Sequence, residues 1–250
     1  MRRPLRRPFA LAAAVVVLGA CGGGSGDEEA AATSEPPSSA TESEPDLASG
    51  LLPAEAFGAD ASVVAVTAEQ LQQGAGLAAA GAEGLQISPE ECAAAVEGAQ
   101  PTFDDFDDVA AQSATTGSGT TVEVLVRGGP TEGTVDALGA AAERCPQAQV
   151  TSPEVGQATI TFETLPVDDL GDGAAMLRYT TVVALPDGSQ VSVPAVIGAV
   201  EDGDRLLVLM NLETSSLGTG DPGAPATPLD PAAFADLLAQ AYETQADALG

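Results

Sequence analysis

The chain has no histidine and no tryptophan among its 250 residues, and its eight basic residues are all arginine, so lysine is absent too. Without histidine the commonest general base and zinc ligand is gone. Without lysine there is no Schiff-base chemistry and no phosphate-clamping ammonium. Serine–histidine and cysteine–histidine nucleophile pairs are excluded outright. Tyr179 and Tyr242 are the only tyrosines, and with no tryptophan the usual stacking surface for a sugar ring is missing. Positive charge is scarce as well: 37 acidic residues set the net charge at −29. Such a surface repels nucleic-acid phosphates and anionic headgroups, which excludes nucleic acid as a partner. Solubility is explanation enough for the acidity as a whole.

Membrane-spanning length is lacking too. The apolar run Phe9–Ala20 has 12 residues, short of the roughly 20 that a spanning helix needs. It follows Arg2, Arg3, Arg6 and Arg7 and ends in small residues, the pattern of a secretory signal peptide over residues 1–20. Leu18-Gly19-Ala20-Cys21 is similar to a bacterial lipobox, with Gly at its second position. That similarity implies diacylglyceryl transfer to Cys21, cleavage before it, and a lipid anchor on the extracytoplasmic face of the cell membrane. An ordinary signal peptide with a cysteine near its end is the alternative. Two or more acyl chains anchor stably where one is marginal. Arg6-Arg7-Pro8-Phe9 also fits a weak twin-arginine signal, so the sequence leaves both export routes open. Loss of residues 1–20 leaves four arginines against 37 acids, a net −33.

From Cys21 to residue 50 the composition is Gly, Ser, Thr, Ala, Pro and acid, with Leu47 the one large apolar residue. Such a segment buries too little to offset chain entropy and is expected to form a disordered stalk. Residues 51–250 are expected to fold as a single domain. With Cys21 assigned to lipid, Cys92 and Cys145 remain, an even pair in an oxidising compartment. Their disulfide would close a loop of about 53 residues; two buried free thiols are the alternative reading.

Within 51–250 the patterns separate cleanly. Ser62–Thr67 reads as a short strand. Ser88, Pro89 and Glu91 have the spacing of an N-cap, a first-turn proline and a capping box, with Gly98 as the stop of that helix. A hairpin is expected around Gly117-Ser118-Gly119, with Val122, Val124 and Val126 pointing inward. Thr134–Arg144 reads as a helix with Val135, Leu138 and Ala142 on one stripe, ending against Cys145-Pro146. Gln157–Leu165, Ala174–Leu185, Gln190–Val200 and Arg205–Leu212 read as a meander, its last three strands joined by Asp-Gly turns. Pro194, in mid-run, predicts a bulge or broken ladder. Asp230-Pro231 opens a terminal helix with Phe234, Leu238 and Ala241 on its apolar stripe. The class is α+β: a twisted antiparallel sheet, meander plus hairpin, with helices packed on it.

Candidate chemistry is sparse. Asp104, Asp105, Asp107 and Asp108 form the densest carboxylate cluster. With Phe103, Phe106 and Val109 interleaved, they read as the wet side of an amphipathic turn. Asp168-Asp169-Leu170-Gly171-Asp172-Gly173 lacks the alternate ligands and closing glutamate of an EF-hand and reads as turn chemistry, so no metal is expected. Of the four arginines outside the signal peptide (Arg127, Arg144, Arg178, Arg205), Arg178 lies inside a strand. It is the candidate for receiving an anionic ligand group, against the plainer reading of a structural ion pair.

The order of these features is lipobox, acidic stalk, a Leu51-Leu52-Pro53 opening, "SPEECAAAV" and a valine-rich hairpin. A helix ending in "AERCP", a meander and a terminal helix complete it. In this order the chain resembles the PknH-like extracellular sensor domain of actinobacteria, found on a membrane Ser/Thr kinase and as free-standing lipoproteins. The resemblance implies a twisted antiparallel sheet with a cleft, no catalysis, no cofactor and a ligand-sensing role. By position, Cys92 and Cys145 match that family's disulfide between two helices. A second family disulfide is absent here, and Ala142-Glu143-Arg144 stands where the family has a tryptophan. The function expected is therefore a non-enzymatic binding or sensing lipoprotein, with an unnamed ligand or envelope protein as partner. A lipid- or glycolipid-carrying lipoprotein is the alternative, and a carboxylate-only hydrolase a third reading.

Overall fold

Nine strands make one antiparallel sheet in the computed structural model, which describes residues 45–74, 85–93, 103–117, 119–152, 156–185, 188–213 and 230–250. The signal peptide, Cys21 and the sequence up to residue 44 lie outside the described residues, as do Gly98 and the Pro186-Asp187 turn. The strands are β1 (Ser62–Val66), β2 (Gln86–Ser88), β3 (Asp108–Thr115), β4 (Gly119–Arg127), β5 (Gln147–Ser152), β6 (Gly156–Leu165), β7 (Gly173–Ala184), β8 (Gln190–Asp202) and β9 (Arg205–Glu213). Their order across the sheet is β1-β3-β4-β9-β8-β7-β6-β5-β2. The expected α+β class is what the structure has: the β3–β4 hairpin and a β5-to-β9 meander joined edge to edge through β4 and β9, with helices on the sheet.

The centre of the sheet is apolar on both faces, and a helix lies on each. Leu207 and Leu209 of β9, Val196 and Val200 of β8 and Leu125 of β4 point to one side, where they meet Phe234, Leu238 and Ala241 of the C-terminal helix (Pro231–Leu249). Leu206, Ala199, Val124 and Val126 point to the other side, where Val135 of the central helix (Thr134–Arg144) joins them. Packing at the C-terminal helix is tight: a Cβ on Gly198 would lie 2.7 Å from Leu238 Cδ2 and 3.2 Å from Phe234 Cε1.

Both helices start on carboxylates. Asp230 caps the C-terminal helix through its side chain, accepting from Ala232 N–H at 3.0 Å, with Pro231 in the first turn. The central helix has Gly133 at its N-cap, which has no side chain to do this. Glu201 of β8 supplies the acceptor instead, taking N–H groups of Val135 at 2.7 Å and Gly133 at 3.3 Å. A carboxylate there also complements the positive end of the helix dipole.

Cys92 and Cys145 are joined by a disulfide with a Cα–Cα separation of 5.3 Å. Cys145 is the C-cap of the central helix, so the bridge ties that helix end to the segment after β2. Ala148, Ile87 and Phe162 pack around it.

Four sequence expectations need correction. Leu47 is not part of a stalk: Leu47–Gly50 form a 3-10 turn, and Leu47, at 1% exposure, is buried beside Leu52 in the core under the C-terminal helix. Ser88 does not cap a helix but ends β2, and the helical residues begin at Glu90. Pro194 makes no bulge, because the β7–β8 register runs unbroken through Thr180↔Pro194. On its other side the ladder is broken, as the proline predicts: the β8–β9 pairing starts only at Ala195, although β9 runs on to Glu213. Last, β5, which the sequence reading left unassigned, and β2, where it placed the start of a helix, complete one side of the sheet.

The disulfide spans 53 residues of sequence, for which the chain-entropy model gives about 4 kcal/mol. The Cys92→Ser/Cys145→Ser double variant is expected to lose about 2–4 kcal/mol in urea unfolding, and reduction of the unmodified protein should match it. A loss under about 1 kcal/mol would show that the loop is held by packing alone.

Candidate functional site

Arg178 lies in β7 directly opposite Glu163 of β6, and the two side chains form an ion pair at 3.2 Å. The pair faces water: the arginine side chain is 29% exposed and the glutamate 62%. Along β7, Arg178 is on the same side as buried Met176, and across the sheet it is level with buried Val196. It therefore marks the point where the apolar cover under the C-terminal helix stops.

Beyond that point the same face is mostly polar, with half-buried Val182 and Pro194 its apolar members, and no described element covers it. Side chains of β5 and β6 alternate in direction: Ala148, Val150, Ile160 and Phe162 turn to the side of the disulfide, and the residues between them turn the other way. The residues facing that way are Gln147, Gln149 and Thr151 on β5 and Gln157 and Thr161 on β6, all exposed, with Thr159 half-buried. Thr161 is level with Thr180 of β7. Arg178 and Glu163 bring the only charges of these rungs, and they cancel. Hydroxyl and carboxamide groups both donate and accept, so the wing is a neutral hydrogen-bonding lattice on a molecule of net charge −29. The sequence marked Arg178 alone; the Gln/Thr alternation of 147–161 was its second signal.

A second polar group is fully buried. Glu123 of β4 is at 0% exposure on the face under the C-terminal helix. Its two oxygens each accept from Leu52 N–H at 3.2 Å, and Oε2 accepts from Gln112 Nε2 at 2.6 Å. Gln112, its cross-strand neighbour on β3, also donates to Leu52 O at 2.7 Å. The Glu–Gln pair thus reads both backbone groups of Leu52, as a neighbouring strand would, and fastens the segment 45–57 across the sheet. Burial pushes the Glu123 carboxyl above the usual carboxylate range, against the opposing pull of the hydrogen bonds from Gln112 and Leu52. Both oxygens are committed to the fold, so this carboxylate is a fastening and not an open acid–base group. Nearby, Asn211 Nδ2 donates to Thr121 Oγ1 at 2.7 Å.

The remaining sequence candidates resolve into structure. Phe103 and Phe106 pack on the core beneath the central helix while Asp105 and Asp107 are exposed, as an amphipathic turn requires. Asp108 pairs with Arg127 at 2.9 Å. Asp172 accepts from Gly203 N–H at 2.8 Å, bridging two turns, and Gly171, at φ +54°, lies against Glu201 O where a Cβ could not fit. Among the described residues no group of three or more acids and cysteines is placed to hold a metal ion, and no helix is long and apolar enough to cross a membrane. Arg205 pairs with Asp202 at 2.7 Å. Arg144, in the last turn of the central helix, is exposed.

No family model and no curated protein matches the chain. Among solved structures it is similar to a putative uncharacterized protein of Mycobacterium smegmatis, the Rv0999 ortholog. There the TM-score is 0.48 and the identity 13%, over 81% of this chain and 97% of that one. It is also similar to the extracellular domain of PknH from Mycobacterium tuberculosis, with a TM-score of 0.40 and 8% identity over 78% of this chain and 93% of that one.

Because the native Glu123 carboxyl binds a proton more readily than the unfolded one, its burial penalty is relieved as pH falls from above its raised value towards the ordinary value of 4.5. The contribution of this group to stability therefore rises on acidification. In urea unfolding between neutral pH and pH 4.5 the Glu123→Gln variant should lack that contribution, so its stability relative to the parent is highest at neutral pH. Glu123→Leu leaves Leu52 N–H unpaired and takes from the Gln112 amide one of its two acceptors, and should cost at least ~2 kcal/mol at any pH in that range. An identical pH profile for Glu123→Gln and the parent would contradict the assignment.

Proposed function

We propose that this protein is a lipid-tethered, extracytoplasmic binding domain without catalytic activity, whose uncovered wing around Arg178 receives a polar ligand bearing an anionic group. Arg178 carries the proposal. It is a cation at the border of a neutral hydroxyl and carboxamide lattice, and its partner Glu163 is largely exposed. An exposed ion pair is worth at most ~1 kcal/mol, so an incoming carboxylate or phosphate displaces Glu163 at little cost. Gln147, Thr161 and Thr180 stand together on the next rung of the same face, where they can complete the contact by hydrogen bonds.

The support for the rest is chemical. The absence of histidine and lysine, with Cys92 and Cys145 consumed in a disulfide, leaves carboxylates and hydroxyls as the reactive inventory. The disulfide fits an oxidising compartment, in keeping with the basic, apolar leader that ends at Cys21. Close contact of Phe234 and Leu238 with the sheet at Gly198 favours binding on the surface over lipid carriage between helix and sheet.

Two outcomes are expected. Cys21→Ala should move the protein from the membrane fraction to the soluble fraction and abolish incorporation of labelled palmitate; unchanged fractionation overturns the tether. Native mass spectrometry of the protein from its own host should show an anionic adduct. Arg178→Ala should lose that adduct while its thermal midpoint stays within a few degrees of the parent. An adduct retained by Arg178→Ala removes Arg178 from the site.

A further inference from the structure

The two edges of this sheet are not treated alike. At one edge β2 has three residues and is followed at once by Pro89 and a helix, so little of it is left to pair. At the other edge β1 runs Ser-Val-Val-Ala-Val, five residues in unbroken register with β3 and, among the described residues, with no partner strand outside it. Natural sheets protect such an edge with charge, proline, a bulge or a covering loop. From Ser62 to Val66 there is no charge, no proline and no bulge. No backbone group of 62–66 bonds to anything but β3 among the described residues. Val64 is 58% exposed and Leu185 39%, the two large apolar side chains left most open among the described residues. Val64 stands level with Ser113 of β3 and Val122 of β4, on the face that carries the central helix. A strand added outside β1 would place an apolar side chain against it.

We propose that the outer edge of β1 is a docking edge for an extended segment of another protein, which joins the sheet as a tenth strand and carries basic residues at its ends. Backbone pairing supplies the affinity, and the alternate side chains and flanking charges supply the choice of partner. The charge of that segment follows from what surrounds the edge. Asp60 and Glu69 are exposed on either side of β1, in a chain of net charge −29. A second copy pairing β1 to β1 would bring the same acids and the same net charge to the same place, and like charges oppose association. A segment of alternating β-branched residues flanked by lysine or arginine meets the uncharged strand and both acidic flanks. The edge lies at the far end of the sheet from β5 and β2, so it is separate from the wing around Arg178 and stands without it.

The test uses the full chain and three labelled peptides: alternating threonine and valine with two lysines at each end, the same peptide with glutamates for the lysines, and the lysine peptide with alternate backbone nitrogens methylated. In fluorescence anisotropy the first should bind, more weakly as salt rises, and the other two at least about tenfold more weakly. Bound peptide should slow amide exchange within 62–66. Val64→Glu adds an acid, which would strengthen attraction by charge alone, yet it breaks the uncharged edge and removes the apolar contact. It should bind the lysine peptide at least about tenfold more weakly, and Val64→Ile should bind as the parent does. Equal binding of the lysine peptide and its methylated form, or Val64→Glu binding as well as the parent, overturns the proposal. So does concentration-dependent self-association that protects 62–66 without peptide.

Discussion

Three adjacent strands, β8, β9 and β4, must bury both of their faces, and the rest of the molecule is arranged around that requirement. Leu206 and Leu207, consecutive in β9, point to opposite sides and are both buried. A sheet with two apolar sides needs two covers, which is why one helix lies on each. Neither cover extends over the whole sheet. The core under the C-terminal helix and the segment around Leu47 and Leu52 reaches β6 only at its last residue, Leu165, and away from it β5 and β6 have one side wet. The location of the open polar wing is therefore a consequence of how far the core extends.

This also sets what could be read from sequence. The meander strands and their turns were legible because alternation and Asp-Gly pairs are local signals, and Thr134–Arg144 was legible from its stripe. Asp230-Pro231 announced the last helix in the same way. What escaped depended on distant partners. Leu47 is one apolar residue in an acidic run, and its burial is decided by the sheet and by the C-terminal helix across it. β5 offers only Ala148 and Val150 among glutamines, and its strand character comes from pairing with β6. Glu123 hides among valines, and its role needs Leu52, 71 residues away in sequence, to be in place. Pro194 interrupts the ladder towards β9 alone, and which of its two sides stays paired depends on the neighbouring strands.

Charge is used sparingly inside an acidic molecule. Arg127 and Arg205 are direct neighbours across β4 and β9, which alone would be unfavourable. Asp108 flanks one and Asp202 the other, so a single rung across four strands reads minus, plus, plus, minus. Gln245 is a contrast: it is buried in the C-terminal helix, and both polar atoms of its amide lack hydrogen-bond partners among the described residues. Leaving such groups unpaired costs on the order of 1–3 kcal/mol, which the packing of Leu238 and Phe234 on the same helix must offset.

The rung of paired arginines has a mechanical corollary. Arg127 also donates to the carbonyl of Pro45 at 3.3 Å, and Arg205 to the carbonyl of Gly250 at 3.3 Å. Tension drawn along the backbone from the N-terminal side thus meets Arg127 first and, past buried Leu47, the Glu123–Gln112 grip on Leu52. Both are side-chain contacts lying outside the β-ladders. They can give way, and close again, before any strand of the sheet is pulled.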